Sequence, residues 1–81
     1  MAKLLQLSIS KVDASVFDGP VVSVTVPGTE GEMTILADHT ALISVLKPGV
    51  ITLIAEGGAT QTFETAGGTL EISNNHATVL I

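Results

Sequence analysis

The sequence contains no cysteine and only two aromatic residues, Phe17 and Phe63. Without cysteine, the chain can form neither a disulfide nor a thiolate metal site. With so few rings, the core must be built from Val, Ile, Leu and Ala, which make up most of the 46% of hydrophobic residues. Branched aliphatic side chains pack well on the pleated surface of a strand, so this composition favours a β-sheet domain.

Basic residues are also scarce, because three lysines and no arginine stand against eight acidic residues, for a net charge of −5. Binding to nucleic acid or to an anionic membrane surface requires clustered basic side chains, so the sequence excludes the first function and disfavours the second. No apolar run approaches the roughly 18 residues of a membrane-spanning helix, and we expect no direct membrane insertion. The acidic balance favours a partner protein with basic patches.

The length of 81 residues predicts one domain, residues 1–81. A chain this short has a thin core, and no disulfide or thiolate-bound metal reinforces it. We therefore expect a subunit of an assembly rather than a free-standing enzyme.

Apolar residues recur at every second position in most segments, which is the period of a half-buried strand. Segment 38–46 has some helical spacing, but its β-branched residues favour a strand there too. The alternating sets are Leu5, Leu7 and Ile9; Val22, Val24 and Val26; Ile51 and Leu53; Leu70 and Ile72; and Ala77, Val79 and Ile81.

Turn-forming residues separate these segments at intervals of roughly 8–12 residues, which is typical of a β-sandwich or barrel. Asn tolerates positive φ, so Asn74-Asn75 predicts a tight hairpin. The predicted turns are Asp18-Gly19-Pro20, Pro27-Gly28, Lys47-Pro48-Gly49, Gly57-Gly58, Gly67-Gly68 and Asn74-Asn75.

The adjacent residues Asp38 and His39 invite a catalytic interpretation. A hydrolytic triad needs a serine, a histidine and a carboxylate that converge in space, and the sequence has no nucleophile-elbow motif. A turn in which Asp38 binds backbone amides, or a binding role, explains the pair better. The catalytic interpretation would require Asp38, His39 and a serine or second carboxylate to meet in a pocket.

A metal site is not favoured either, because His39 and His76 are far apart and no histidine pair has ligand spacing. Glu30 and Glu32 flank Gly31 and form either a solvated acidic loop or an acidic contact for a basic partner. The glycines of this loop lack the spacing of a phosphate-binding motif. We therefore predict no catalytic residue, no metal and no cofactor.

The residues from Gly28 to Gly49 follow the pattern G-x-x-G-x-x-G-I-L-P-x-H-x-P-L-x-x-x-L-x-x-G at eight positions. This segment resembles the N-terminal β-sandwich domain of the epsilon subunit of F-type ATP synthase, called delta in mitochondria. Residues 66–72 resemble the family's S-G-G-x-L-E-V, and residues 77–81 its final strand. The family often has glycine where Asp38 stands. The eight matching residues are Gly28, Gly31, Ile35, Leu36, His39, Leu42, Leu46 and Gly49.

The resemblance implies an all-β fold, a flattened sandwich of two antiparallel sheets with about ten short strands. The family's C-terminal helical hairpin is not expected, because the sequence stops at Ile81. The implied function is that of a non-catalytic rotor subunit of the central stalk. It would bind gamma and the c-ring in a hetero-oligomeric complex and couple ion-driven ring rotation to ATP synthesis. The implied location is peripheral, on the cytoplasmic side of the bacterial inner membrane, or on the matrix or stroma side in an organelle.

The resemblance also implies two contact sets. Leu42 and Ile43 would supply the apolar centre of the gamma contact, or would be plain core. The alternative function is that of a generic β-sandwich binding module of another assembly. The c-ring contact would comprise Glu30, Gly31, Glu32 and His39, and the gamma contact Ser10, His39, Thr40, Leu42, Ile43 and Ser44.

Overall fold

The computed structural model describes residues 3–81, and every regular element in that range is a β-strand. None of these residues belongs to a helix long and apolar enough to cross a membrane. The all-β prediction is confirmed, with eight strands where about ten were expected. The strands are β1 (Leu5–Lys11), β2 (Ala14–Gly28), β3 (Gly31–Leu36), β4 (Leu42–Leu46), β5 (Gly49–Ala55), β6 (Thr60–Thr65), β7 (Gly68–Ser73) and β8 (His76–Leu80).

The 15-residue strand β2 belongs to both layers of the sandwich. Its C-terminal half lies between β3 and β5, because Val24 pairs with Ile35 on one side and with Leu53 on the other. Strand β6 extends this layer beyond β5. The N-terminal half of β2 pairs with β1, and that layer continues through β8 and β7 to β4. The β1–β8 pairing is parallel, and the other strand pairings of residues 3–81 are antiparallel.

The two layers enclose one aliphatic core to which seven of the eight strands contribute buried side chains. Phe17, Phe63, Met33 and Leu42 are partly buried and pack against it. The alternating residues predicted to face inward supply most of this core, so the period-two pattern identified the buried faces. The fully enclosed residues are Leu5, Leu7, Ile9, Val21, Val24, Val26, Ile35, Leu46, Ile51, Leu53, Leu70, Ile72, Ala77 and Val79.

The prediction that Val22 faces inward is wrong. Val22 is half-buried, whereas its neighbour Val21 is fully enclosed. The pairing of β2 with β5 shifts register between Val21 and Ser23, where β2 carries one residue more than its partner. Such a β-bulge changes which face the residues on either side of it occupy, and sequence alternation alone does not reveal it.

The predicted turns at Gly57-Gly58 and Asn74-Asn75 are confirmed, whereas at Gly67-Gly68 only Gly67 lies in the connection and Gly68 already begins β7. All six residues have positive φ. The predicted turn at Asp18-Gly19-Pro20 is wrong, because these residues lie inside β2. At Pro20 the strand is paired with β1 alone, since the pairing with β5 begins at Val21. A strand tolerates a residue without an N–H at such an edge position.

Candidate functional site

Segment 28–49 runs along the length of the sandwich, so Glu30 and His39 lie beyond opposite ends of β3. Glu30 occupies the two-residue turn that joins β2 to β3, whereas His39 follows the turn that ends β3. A six-residue strand is roughly 20 Å long. The predicted c-ring contact therefore divides into two groups, with Glu30, Gly31 and Glu32 at one end and His39 at the other.

The first group forms the acidic turn, residues 29–32. Glu30 and Glu32 are exposed, and a Cβ added at Gly31 would meet no atom within 4 Å. Two backbone hydrogen bonds hold the base of this turn, from Thr29 N–H to the Val45 carbonyl at 3.0 Å and from Lys47 N–H to the Pro27 carbonyl at 2.8 Å. The acidic turn thus presents two solvated carboxylates on a fixed backbone, which suits electrostatic steering of a basic partner.

The second group is the His39 loop, residues 37–41. Asp38 has φ 61°, accepts a hydrogen bond from Lys3 Nζ at 2.5 Å, and donates its N–H to Asn75 Oδ1 at 2.7 Å. The hydrogen bond from Lys3 to Asp38, and then the charge of that carboxylate, raise the pKa of Lys3 above its ordinary value of 10.5. The carboxylate of Asp38 therefore binds Lys3 and not the backbone amides that were predicted, and the backbone N–H of Asp38 holds the turn against Asn75.

His39 has a partner of its own and does not share one with Asp38. Its Nδ1 lies 2.7 Å from the Thr40 carbonyl oxygen, so Nδ1 carries a proton and donates it. Both side chains are exposed. Asp38 and His39 thus have separate partners on an open surface, which contradicts the catalytic interpretation. Among residues 3–81, no three His, Asp or Glu side chains lie close enough to hold a metal ion.

The outer side of β4 carries the most exposed aliphatic side chains among the strands of its layer. Ile43 is 75% exposed and Val45 58%, whereas Leu42 packs against the core and Leu46 is buried. Val45 pairs with Thr69, Thr69 with Leu80, and Leu80 with Ser10, so these four residues form one row across the layer. We call the surface formed by Ile43, Val45, Leu80 and Ser10 the β4 face.

The β4 face separates the residues predicted to contact gamma. Ser10 on β1 and Ile43 on β4 belong to it. Leu42 and Ser44 lie on the opposite, inner side of β4 and are half-buried. His39 and Thr40 precede β4 in the exposed His39 loop. Beside Ile43 lies an open depression of about 530 Å³, lined by residues 41–43 and 71–73. Its shape suits a side chain of a partner protein better than an enclosed small molecule.

Sequence reasoning missed Val45, Leu80 and Asn75 as members of these surfaces. The signal for Val45 was present, because it lies two positions after Ile43 on a strand and so shares its face. Leu80 and Asn75 gave no local signal, since only long-range strand pairing places Leu80 beside Ser10 and Asn75 beside Asp38.

The comparison with protein families identifies the fold. Residues 4–81 match the family described as the beta-sandwich domain of the ATP synthase delta/epsilon chain. The chain belongs to this family. Asp38 has φ 61°, a conformation that glycine adopts more readily than other residues.

Solved structures of ATP synthases contain similar chains. One is a chain of the mitochondrial ATP synthase of Euglena gracilis in a structure of OSCP, F1 and the c-ring, with 25% identity and a TM-score of 0.90; the match covers 95% of this chain and 49% of that one. A chain of the central stalk and c-ring of the Tetrahymena thermophila enzyme has the same fold, with 18% identity and a TM-score of 0.78, over 93% of this chain and 60% of that one. This chain thus spans about half the length of the first chain and three fifths of the second.

Proposed function

We propose that this family member is a non-catalytic rotor part of an F-type ATP synthase, which binds the gamma subunit and the c-ring and couples ring rotation to ATP synthesis. The observation that carries the proposal is the match over 95% of the chain to a chain of an assembly that contains F1 and the c-ring. The catalytic sites then belong to other subunits. The protein is peripheral, on the cytoplasmic side of a bacterial inner membrane or on the matrix or stroma side in an organelle.

The β4 face is the proposed contact for gamma. It has three aliphatic side chains that are each more than half exposed, Ile43, Val45 and Leu80. Val45 and Leu80 lie on either side of Thr69, and Leu80 pairs with Ser10. Burying each of the three aliphatic side chains contributes roughly 1–2 kcal/mol, so a partner that covers all three gains a substantial apolar centre. His39 and Thr40 extend this contact at one end of β4, and Leu42 and Ser44 support it from within the strand.

The acidic turn is the proposed contact for the c-ring. Glu30 and Glu32 are exposed and lie on either side of Gly31, whose surroundings are open. Exposed charges contribute more to register and association rate than to affinity, and salt screens them. His39 lies at the far end of β3, so a c-ring contact through His39 involves a second, separate area.

The test is capture of the partners by the tagged full-length protein at low and at high salt. We expect capture of gamma to persist at high salt, because apolar burial is not screened, and capture of the c-ring to weaken. Val45→Asp should abolish capture of gamma. Val50→Asp is the matched control, because Val50 is 49% exposed but lies on β5 in the other layer. Absence of gamma and c-ring at both salt concentrations would refute the proposal and leave a binding module of another assembly.

A further inference from the structure

Asn75, in the hairpin between β7 and β8, holds two distant segments with one side chain. Its Oδ1 accepts a hydrogen bond from Asp38 N–H at 2.7 Å, and its Nδ2 donates one to the Leu4 carbonyl at 2.8 Å. Its own carbonyl accepts a bond from Gln6 N–H at 3.2 Å. The side-chain partners are 37 and 71 positions away in the sequence. The amide thus joins the His39 loop to the beginning of β1.

We infer that Asn75 is a positioning residue. It fixes the His39 loop against the N-terminal strand and thereby fixes the position of His39 at the surface where a partner would bind. The fixing of the loop follows from the contacts of Asn75 alone. The consequence for a partner rests on the proposed function, in which His39 contacts the c-ring and gamma.

Turn geometry alone does not account for Asn75. Asn74 and Asn75 both have positive φ, 50° and 59°, which glycine provides equally well. Asn74 is exposed, and no side-chain hydrogen bond within residues 3–81 involves it. Asn75 is half-buried and uses both its donor and its acceptor. The two residues therefore share a backbone role, but the side chain of Asn75 has a second one.

The ion pair between Lys3 and Asp38 does not replace Asn75. The two charged side chains are 77% and 53% exposed, so solvent and salt screen their attraction. The bonds of Asn75 involve neutral groups and depend little on ionic strength. We therefore expect the His39 loop to keep its place in high salt through Asn75, even where the ion pair is screened.

Amide hydrogen exchange of the full-length protein at high salt tests the inference directly. Asn75→Gly keeps the turn but removes the side chain, and it should make the Asp38 amide exchange about fivefold faster, the change expected for one lost hydrogen bond. Asn74→Gly is the matched control and should leave that amide unchanged. Amides of the core strands report the change of global stability in each variant, and the Asp38 amide of Asn75→Gly should accelerate beyond that change. Equal exchange at Asp38 in the two glycine variants would overturn the inference.

A conservative variant separates positioning from simple destabilisation. Asn75→Asp keeps an oxygen that can accept the Asp38 N–H, so it should retain protection of this amide while it loses the bond to Leu4. Loss of Asp38 protection in Asn75→Asp, equal to that in Asn75→Gly, would overturn the assignment of Oδ1 as the anchor. Capture of the c-ring and gamma by Asn75→Gly is measured alongside. A loosened loop with unchanged capture would support the positioning of the loop and overturn the proposed contact through His39.

Discussion

The rings of Phe17 and Phe63, the two aromatic residues of the chain, pack against each other with their centroids 6.4 Å apart and their planes inclined by 57°. Phe17 lies on β2 opposite Ile9, and Phe63 lies on β6 opposite Ile51, so the rings come from different layers. Both are partly buried against the core. This tilted contact closes one side of a core that is otherwise aliphatic.

The first prediction concerns this contact. We expect Phe17→Leu and Phe63→Leu to destabilise the fold non-additively, with a coupling of about 0.5–1.5 kcal/mol, because tilted aromatic pairs attract beyond their area burial. The measurement is the free energy of unfolding in urea for the two single variants and the double variant. Additive effects would show that each ring contributes through burial alone.

The second prediction compares two substitutions of valine by aspartate. Val24 is fully enclosed and Val45 is 58% exposed, and both lie on strands. Val24→Asp should unfold the chain, because burying a carboxylate costs energy comparable to the total stability, which is roughly 4–12 kcal/mol for a domain of this length. Val45→Asp should shift stability by about 1 kcal/mol or less. Circular dichroism during heating measures both, and a native-like melt of Val24→Asp would contradict the buried face of β2.

Most of the buried faces could be predicted from the sequence, because most strands have one buried side and period-two alternation records that directly. The bulge at Val21–Ser23 could not, since the extra residue is defined only by the partner strand. The parallel pairing of β1 with β8 joins residues about 70 positions apart, as between Ser10 and Leu80. No local pattern encodes such a pairing.

The candidate site was predictable to a similar extent. Exposure of Glu30 and Glu32 follows from their charge and their place beside glycine. The sequence does not decide whether Leu42 and Ile43 face inward or outward, because both are apolar, and only the packing of β4 against the core separates them. The anchoring of Asp38 by Asn75 depends on two turns that meet in space. Long-range contacts of this kind require the fold itself.

The third prediction concerns Gly68. A Cβ at Gly68 would overlap the Leu80 carbonyl oxygen and lie 3.0 Å from the Leu80 carbonyl carbon, whereas a Cβ at Gly57 would meet nothing within 4 Å. Gly57→Ala should cost about 1–2 kcal/mol, from its φ of 93° alone. Gly68→Ala should cost at least about 1 kcal/mol more, because the β7–β8 pairing must shift. Urea unfolding measures the free energy of unfolding of both variants. Equal decreases would show that β8 moves to accommodate the added Cβ at no energetic cost.

The fourth prediction concerns pH. The raised pKa of Lys3 means that its protonated form favours the folded state, so this stabilisation is complete below pH 10.5 and is lost as pH rises through the folded-state pKa. Asp38→Gly should return the pKa of Lys3 towards 10.5, which an NMR titration of the lysine side chain measures. Glycine adopts the φ of 61° without strain and keeps the N–H that Asn75 binds, so the variant isolates the carboxylate. An unchanged Lys3 titration would contradict the ion pair.

The fifth prediction tests the acidic turn by charge reversal. Glu30→Lys with Glu32→Lys should weaken capture of the c-ring and reduce its salt dependence, while stability changes by no more than about 0.5 kcal/mol, because both side chains are exposed. Asp13→Lys with Glu56→Lys is the matched control, since these exposed residues lie in the β1–β2 and β5–β6 turns and undergo the same change of charge. If the acidic turn contacts a basic partner, the first pair alone impairs capture. If net charge alone steers the protein, both pairs impair it equally, and the acidic turn has no special role.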